Sequence, residues 1–137
     1  MSILYETQAT VTGGREGVAK LNDSDLTVNL VPPGSKKDGN NPEQLFAIGY
    51  ASCFDSALNV VKQQSKVKFD SETQVTIQLN KFSDTDYGLS GRIHVIASNT
   101  ELSADEVQKA VETAHQVCPY SKATKGNIDI SVTSEVK

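Results

Sequence analysis

The segment from Asn41 to Ser65 constrains this chain more than any other. Asn41 has the chemistry of an N-cap, Pro42 suits the first helical position, and Gln44 stands three residues after the cap to complete a capping box. The helix that starts here is apolar nearly all round from Leu45 to Ala57, with Phe46, Gly49, Tyr50, Cys53, Ala57, Val60 and Val61 on one stripe. Such a helix is expected to be central and mostly buried. Beyond Asn59 the run VVKQQSKVK turns amphipathic and then polar, which brings the helix to the surface and ends it near Ser65.

The other elements are placed around it. Residues 3 to 11 put Ile3, Tyr5, Thr7, Ala9 and Val11 on one period-2 face and read as a strand that stops at Gly13-Gly14. An extended piece around Gly17 to Lys20 and a strand from Leu26 to Val31 extend this into a hairpin or meander, and Pro32 to Asn41 is a surface loop. After the helix, Thr73 to Phe82 and Leu89 to Ala97 alternate as strands, with Val75, Ile77, Leu79, Ile93 and Val95 inward and SDTDYG as the hairpin loop. Ser103 and Glu106 form a second capping box before Val107, Ala110, Val111, Ala114, Val117 and Cys118 at helical spacing. Pro119 stops that helix, SKATKGN reads as turns, and Ile128, Ile130 and Val132 give a closing strand. Strands, long helix, hairpin, helix and strand without regular βαβ alternation predict an α+β fold, with helices on an antiparallel sheet.

Length and charge narrow the function. The 137 residues fit one domain spanning 1–137. A hydrophobic fraction of 37% without Trp is slightly poor in large core side chains, a deficit that a subunit interface could make good. A net charge of −4 with only short basic clusters, Lys36-Lys37 and Lys122 with Lys125, argues against a nucleic-acid partner. MSILYETQAT holds no apolar run long enough for a signal peptide or a membrane span, so a cytoplasmic location is expected. In that compartment a cysteine pair favours catalysis or redox sensing over a structural staple, although buried inert thiols are the commoner reading on count alone.

Cys53 sits inside the apolar helix, where burial raises its pKa, and only the thiolate is a good nucleophile. A reactive Cys53 therefore needs a cation brought from elsewhere in the fold. Arg15 is the candidate: it follows two glycines that let the chain bend tightly, and the other arginine, Arg92, lies on a strand. An exposed turn residue is the plain alternative. Glu43, in the first turn of the helix, is favoured there by the macrodipole and would also hold the guanidinium in a bidentate pair. Ten residues of helix rise about 15 Å, so Glu43 and Cys53 of one helix cannot both touch one guanidinium, and a shared site would need a second subunit. His94 reads as a strand residue and His115 as a helix-surface residue. Neither has metal-ligand spacing around it, and no nucleotide-binding motif is present.

Taken together, NPEQLFAIGYASCF at residues 41 to 54, VCPYSKATKGNID at 117 to 129 and TGGREG at 12 to 17 resemble the organic hydroperoxide resistance (Ohr) proteins of the Ohr/OsmC superfamily, with the element order matching along essentially the whole chain. The Tyr after Pro119 resembles the Ohr branch more than the OsmC branch. Val18 and Lys122 depart from many relatives without touching the chemistry. The resemblance implies an OsmC-like fold in an intertwined homodimer and a thiol peroxidase. In it Cys53 matches the peroxidatic cysteine, Cys118 the resolving cysteine, and Arg15 with Glu43 the activating pair. No bound cofactor or metal is implied, and the expected reductant is dihydrolipoamide or a lipoylated protein. An apolar collar of Phe46, Tyr50, Phe54 and Tyr120 would favour alkyl or fatty-acid hydroperoxides, since burying hydrocarbon contributes about 0.8 kcal/mol per methylene. The alternative is a non-enzymatic apolar-ligand-binding redox sensor of the same fold.

Overall fold

The computed structural model describes residues 1–137. It resolves into two compact units, Met1–Leu45 and Phe46–Lys137, each described by itself.

In the first unit, strands β1 (Ala9–Thr12), β2 (Val18–Leu21) and β3 (Thr27–Asn29) form an antiparallel meander. The strand expected from residue 3 shortens to β1. Its partner β2 ends at Leu21, and a strand persists only while a neighbour takes its backbone groups. Beyond that end the Asn22 amide still donates to the Gln8 carbonyl at 2.9 Å, while Ile3 and Tyr5 lie exposed. Between β1 and β2 the chain makes a single 3-10 turn, Gly14–Glu16. Gly13 and Gly14 have φ of 81° and 58°, the left-handed region that glycine adopts without steric cost, so the pair allows Arg15 to stand at the crest of the turn. The long loop that follows is closed at its base by the Asn40 amide on the Asn29 carbonyl at 2.9 Å.

Helix α1 (Pro42–Ser65) begins where the capping box places it. The Gln44 amide donates to Asn41 Oδ1 and the Asn41 amide to Gln44 Oε1, both at 2.9 Å. The helix is less enclosed than its composition predicts. Tyr50, Phe54, Ala57, Leu58 and Val61 are buried, but Ile48 and Val60 are exposed, so within one chain a single stripe is covered. At the far end Lys62 Nζ donates to the Phe69 carbonyl at 2.9 Å and to Ser71 Oγ at 2.8 Å, tying the helix to the strand that follows.

The second unit is built on the sheet β4 (Asp70–Lys81), β5 (Tyr87–Ser98) and β6 (Ile130–Val136), in that order. Cross-strand register aligns Val75 with Ile93 and Ile93 with Val132, and Ile93, Val95 and Ala97 are completely buried. Leu79, expected inward, is exposed near the hairpin end. The α+β class holds, but β6 runs parallel to β5, so this sheet is mixed rather than antiparallel. The reason is the connection. Helices α2 (Ala104–Val117) and α3 (Pro119–Thr124) carry the chain back to the end of the sheet from which β5 started, and such a crossover joins parallel strands. The capping box at Ser103 and Glu106 forms, and Val107, Ala110, Val111 and Ala114 pack with the buried stripe of α1 and with β5 into one core. Pro119 ends α2 as expected, yet it also occupies the first position of α3, so SKAT is helical and not a run of turns.

Candidate active site

Cys53 lies on α1 and Cys118 at the corner between α2 and α3. Cys118 has extended backbone angles, φ −59° and ψ 124°, as the residue before a proline should. Its amide closes α2 on the Ala114 carbonyl at 2.9 Å, and its own carbonyl accepts from the Lys122 amide at 3.0 Å. Its side chain is wholly buried, whereas Cys53 is partly exposed. Both are free thiols, and Cys118 Sγ donates to Cys53 Sγ at 3.6 Å. A disulfide is about 2.05 Å long, so closure needs an approach of about 1.5 Å from the observed separation. Burial pushes the Cys53 thiol above its usual pKa. The backbone amide of Tyr120 acts in the opposite direction, and the Cys118 sulfur adds to the rise. With this local environment alone Cys53 is a protonated thiol at neutral pH.

Arg15 and Glu43 form a fork-to-fork pair within the first unit. Nη1 donates to Oε2 at 2.8 Å and Nη2 to Oε1 at 2.6 Å. The glycine-flanked turn thus directs the guanidinium at the first turn of α1, and the pair closes within one chain. The carboxylate side chain is 13% exposed but the arginine side chain 50%, which leaves one edge of the cation open to a further anion. The arginine's hydrogen bonds hold the Glu43 carboxyl below the ordinary range, and the same bonds raise the guanidinium still further.

Three of the four expected collar residues meet. The rings of Phe46, Tyr50 and Tyr120 lie 5.6 to 6.1 Å apart, centre to centre, with Phe46 edge-on to Tyr120. Gly49 makes this possible: a Cβ there would sit 2.8 Å from Tyr120 Oη. Phe54 stands apart from the three, fully buried with its ring 6.4 Å from that of His115, and serves the core. A cavity of ≈ 520 Å³ opens beside Phe46, walled by Phe82, Tyr87, Leu89 and Ile128 among others. These walls were not singled out in the sequence, where they read only as strand and loop positions.

His115 corrects a second expectation, since it is half-buried and not a surface residue. Its Nδ1 pairs with Ser121 Oγ at 2.7 Å, and burial lowers its pKa, with Lys125 contributing. Ser121 Oγ in turn lies 2.9 Å from Tyr50 Oη, which also meets Thr124 Oγ1 at 3.3 Å. The only sequence signal for this network is a pair of hydroxyls three residues apart just after Pro119. His94, a strand residue as expected, bonds Thr133 and Glu135 across to β6.

An apolar helix sharing one core with a small mixed sheet, with two free thiols facing each other, defines a class of α+β proteins that carry a close cysteine pair. Residues 33–133 match the family model for OsmC-like proteins. Two staphylococcal relatives match over 99% of both chains: an organic hydroperoxide resistance protein-like 1 from Staphylococcus epidermidis at 44% identity and an organic hydroperoxide resistance protein-like chain from Staphylococcus aureus at 43%. Among solved structures, an organic hydroperoxide resistance protein from Elizabethkingia anophelis superposes with a TM-score of 0.89 at 37% identity, each chain covered in full. The organic hydroperoxide resistance protein OhrB of Bacillus subtilis superposes with a TM-score of 0.88 at 35% identity, covering 97% of this chain and 100% of its own. The chain belongs to the OsmC-like family, in its organic hydroperoxide resistance branch. No helix is long and apolar enough to cross a membrane.

Proposed function

We propose that this protein is a thiol peroxidase that reduces organic hydroperoxides to alcohols, with Cys53 as nucleophile and Cys118 as resolving thiol. The observation that carries the reading is the 3.6 Å approach of a partly exposed thiol to a fully buried one. An incoming peroxide can reach the first sulfur, and the second is positioned to receive what forms there.

In the first step the Cys53 thiolate attacks the distal peroxide oxygen. The O–O bond breaks, the alkoxide takes a proton and leaves as alcohol, and the sulfur becomes a sulfenic acid. In the second step the Cys118 sulfur displaces hydroxide from that sulfenic acid, its thiol proton completes a water, and a disulfide closes. Capture by Cys118 guards Cys53 against irreversible oxidation. A dithiol then restores both thiols by exchange. Dihydrolipoamide or a lipoylated protein is the donor in this reading, and no cofactor stays bound.

The partly buried Cys53 thiol needs a cation to ionise, and the Arg15–Glu43 fork is the group proposed to supply it. Glu43 fixes the orientation of the guanidinium and leaves its exposed edge for a thiolate to approach. Because about 15 Å of helix rise separates Glu43 from Cys53, the pair of one chain serves the Cys53 of a second. The working unit is therefore a homodimer, which also gives the exposed Ile48 and Val60 a partner. Phe46, Tyr50 and Tyr120 form the apolar mouth that favours alkyl or fatty-acid hydroperoxides over hydrogen peroxide. The fully buried Phe54 supports them from the core.

Steady consumption of a cumene-type hydroperoxide by the full chain with dihydrolipoamide, faster than consumption of hydrogen peroxide, is the expected result. A single stoichiometric oxidation without turnover would replace the enzyme with a redox sensor of the same fold.

A further inference from the structure

Two contacts hold α1 against the α2–α3 corner, and they are stacked one helical turn apart. One is the sulfur pair, Cys53 with Cys118, at 3.6 Å; the other is Tyr50 Oη with Ser121 Oγ at 2.9 Å. Tyr50 precedes Cys53 by three residues on α1, and Ser121 follows Cys118, the N-cap of α3, by three, so each hydroxyl lies about one helical turn from a sulfur. His115 lies three residues before Cys118, and its bond to Ser121 spans the corner at Pro119. That strut matters because the start of α3 has no side-chain cap of its own.

The network satisfies itself as one directed chain. The Thr124 O–H goes to the Ser121 carbonyl at 3.1 Å, so the assignment that uses each proton once has Tyr50 O–H donate to Thr124 Oγ1, Ser121 O–H to Tyr50 Oη and His115 Nδ1–H to Ser121 Oγ. Every hydroxyl proton is used once, and no buried side-chain polar atom is left without a partner. Tyr50, Ser121 and Thr124 are almost completely excluded from solvent, so breaking one link leaves another group unpaired.

We infer that His115 and Ser121 are positioning residues for disulfide closure. They fix the angle between α2 and α3, and through Tyr50 they lock that corner to α1, so that the Cys118 sulfur stays within reach of a Cys53 sulfenic acid. Neither touches the reacting atoms; they act by setting the effective concentration of Cys118 at Cys53. This inference rests on the resolving role proposed for Cys118.

Two measurements on wild type, Ser121→Ala, His115→Ala and His115→Asn test it. The first equilibrates the thiol pair with reduced and oxidised glutathione, without peroxide, and gives the effective concentration of Cys118 at Cys53. The second adds one equivalent of cumene-type hydroperoxide and follows the ratio of disulfide closure to Cys53 oxidation, with sulfinic acid read by mass spectrometry. Ser121→Ala and His115→Ala lower the effective concentration at least about tenfold and divert Cys53 towards sulfinic acid, because the sulfur is no longer held in one orientation. His115→Asn, which retains a donor near the Nδ1 position, recovers most of the loss. Values within about twofold of wild type in both alanine variants overturn the inference, as does an equal loss in the Asn and Ala variants of His115. Should Ser121→Ala fail to fold, the half-buried His115 pair decides alone. If the wild type consumes no hydroperoxide, the peroxidase reading falls, while the glutathione equilibrium still decides whether these residues position the sulfurs.

Discussion

Removing the cation at Arg15 is the most informative perturbation, because its cost follows from the surroundings of one sulfur. An ordinary cysteine has a pKa of about 8.5, which leaves about 3% thiolate at pH 7. Burial and the neighbouring Cys118 thiol push Cys53 above its usual value, and the Tyr120 amide only partly offsets them. Without an activating cation the reactive fraction is therefore below about 3%, so Arg15→Ala should slow Cys53 at pH 7 by at least roughly 30-fold against a fully ionised wild type. The sign is fixed. A cation favours the charged form, so its removal raises the pKa, and the lost rate should return about tenfold per pH unit until the thiol's own pKa is passed. Stopped-flow reduction of a cumene-type hydroperoxide between pH 6 and about 10 reads both the loss and the slope directly. Alkylation by iodoacetamide provides a check independent of the peroxide. Arg15→Lys keeps the charge but loses the two parallel bonds to Glu43 at 2.6 and 2.8 Å, and should be severely impaired as well. A wild-type rate at pH 7 with an unchanged pH profile in Arg15→Ala would refute the reasoning.

Other substitutions separate the remaining roles. Cys118→Ser should permit one oxidation of Cys53 and then yield irreversible sulfinic and sulfonic products, which intact-protein mass spectrometry detects. Tyr50→Phe removes a buried hydroxyl that serves Ser121 and Thr124, and should cost about 1–3 kcal/mol in a urea unfolding curve. Gly49→Ala places a methyl 2.8 Å from Tyr120 Oη and should displace that ring. Its gain of about 1 kcal/mol in helix propensity would then leave stability nearly unchanged while KM for a bulky alkyl hydroperoxide rises. Since Arg15 holds the Glu43 carboxyl below the ordinary range, the pair should persist through neutral and mildly acid pH. Its contribution is lost only as pH falls through that lowered value, so carboxyl NMR of Glu43 should show no titration above about pH 5.

The sequence by itself determined the elements whose causes are local. Both capping boxes formed because a cap side chain and a residue three places on decide them without reference to anything distant. Alternation found β4 and β5 with the inward Ile93 and Val95, since a half-buried strand needs that period. The two cysteines, Arg15 and Glu43 could be singled out from chemistry and from the resemblance of three short motifs. What depended on partners distant in sequence did not show. Alternation at Ile3 and Tyr5 reads as a strand, but a strand ends where its neighbour does, and β2 stops at Leu21. Nothing in Ile130 to Val136 states its direction beside β5; that follows from the return path through α2 and α3. Proline after Cys118 announces a helix end in sequence, while only packing reveals that it also begins α3 and turns His115, Ser121, Tyr50 and Thr124 into one network. The separation of the two sulfurs belongs to the same class. Cys53 and Cys118 stand 65 positions apart in the sequence, and their 3.6 Å approach exists because two helices bury their apolar stripes in one core, a condition set by the whole of that unit and by no local stretch of chain.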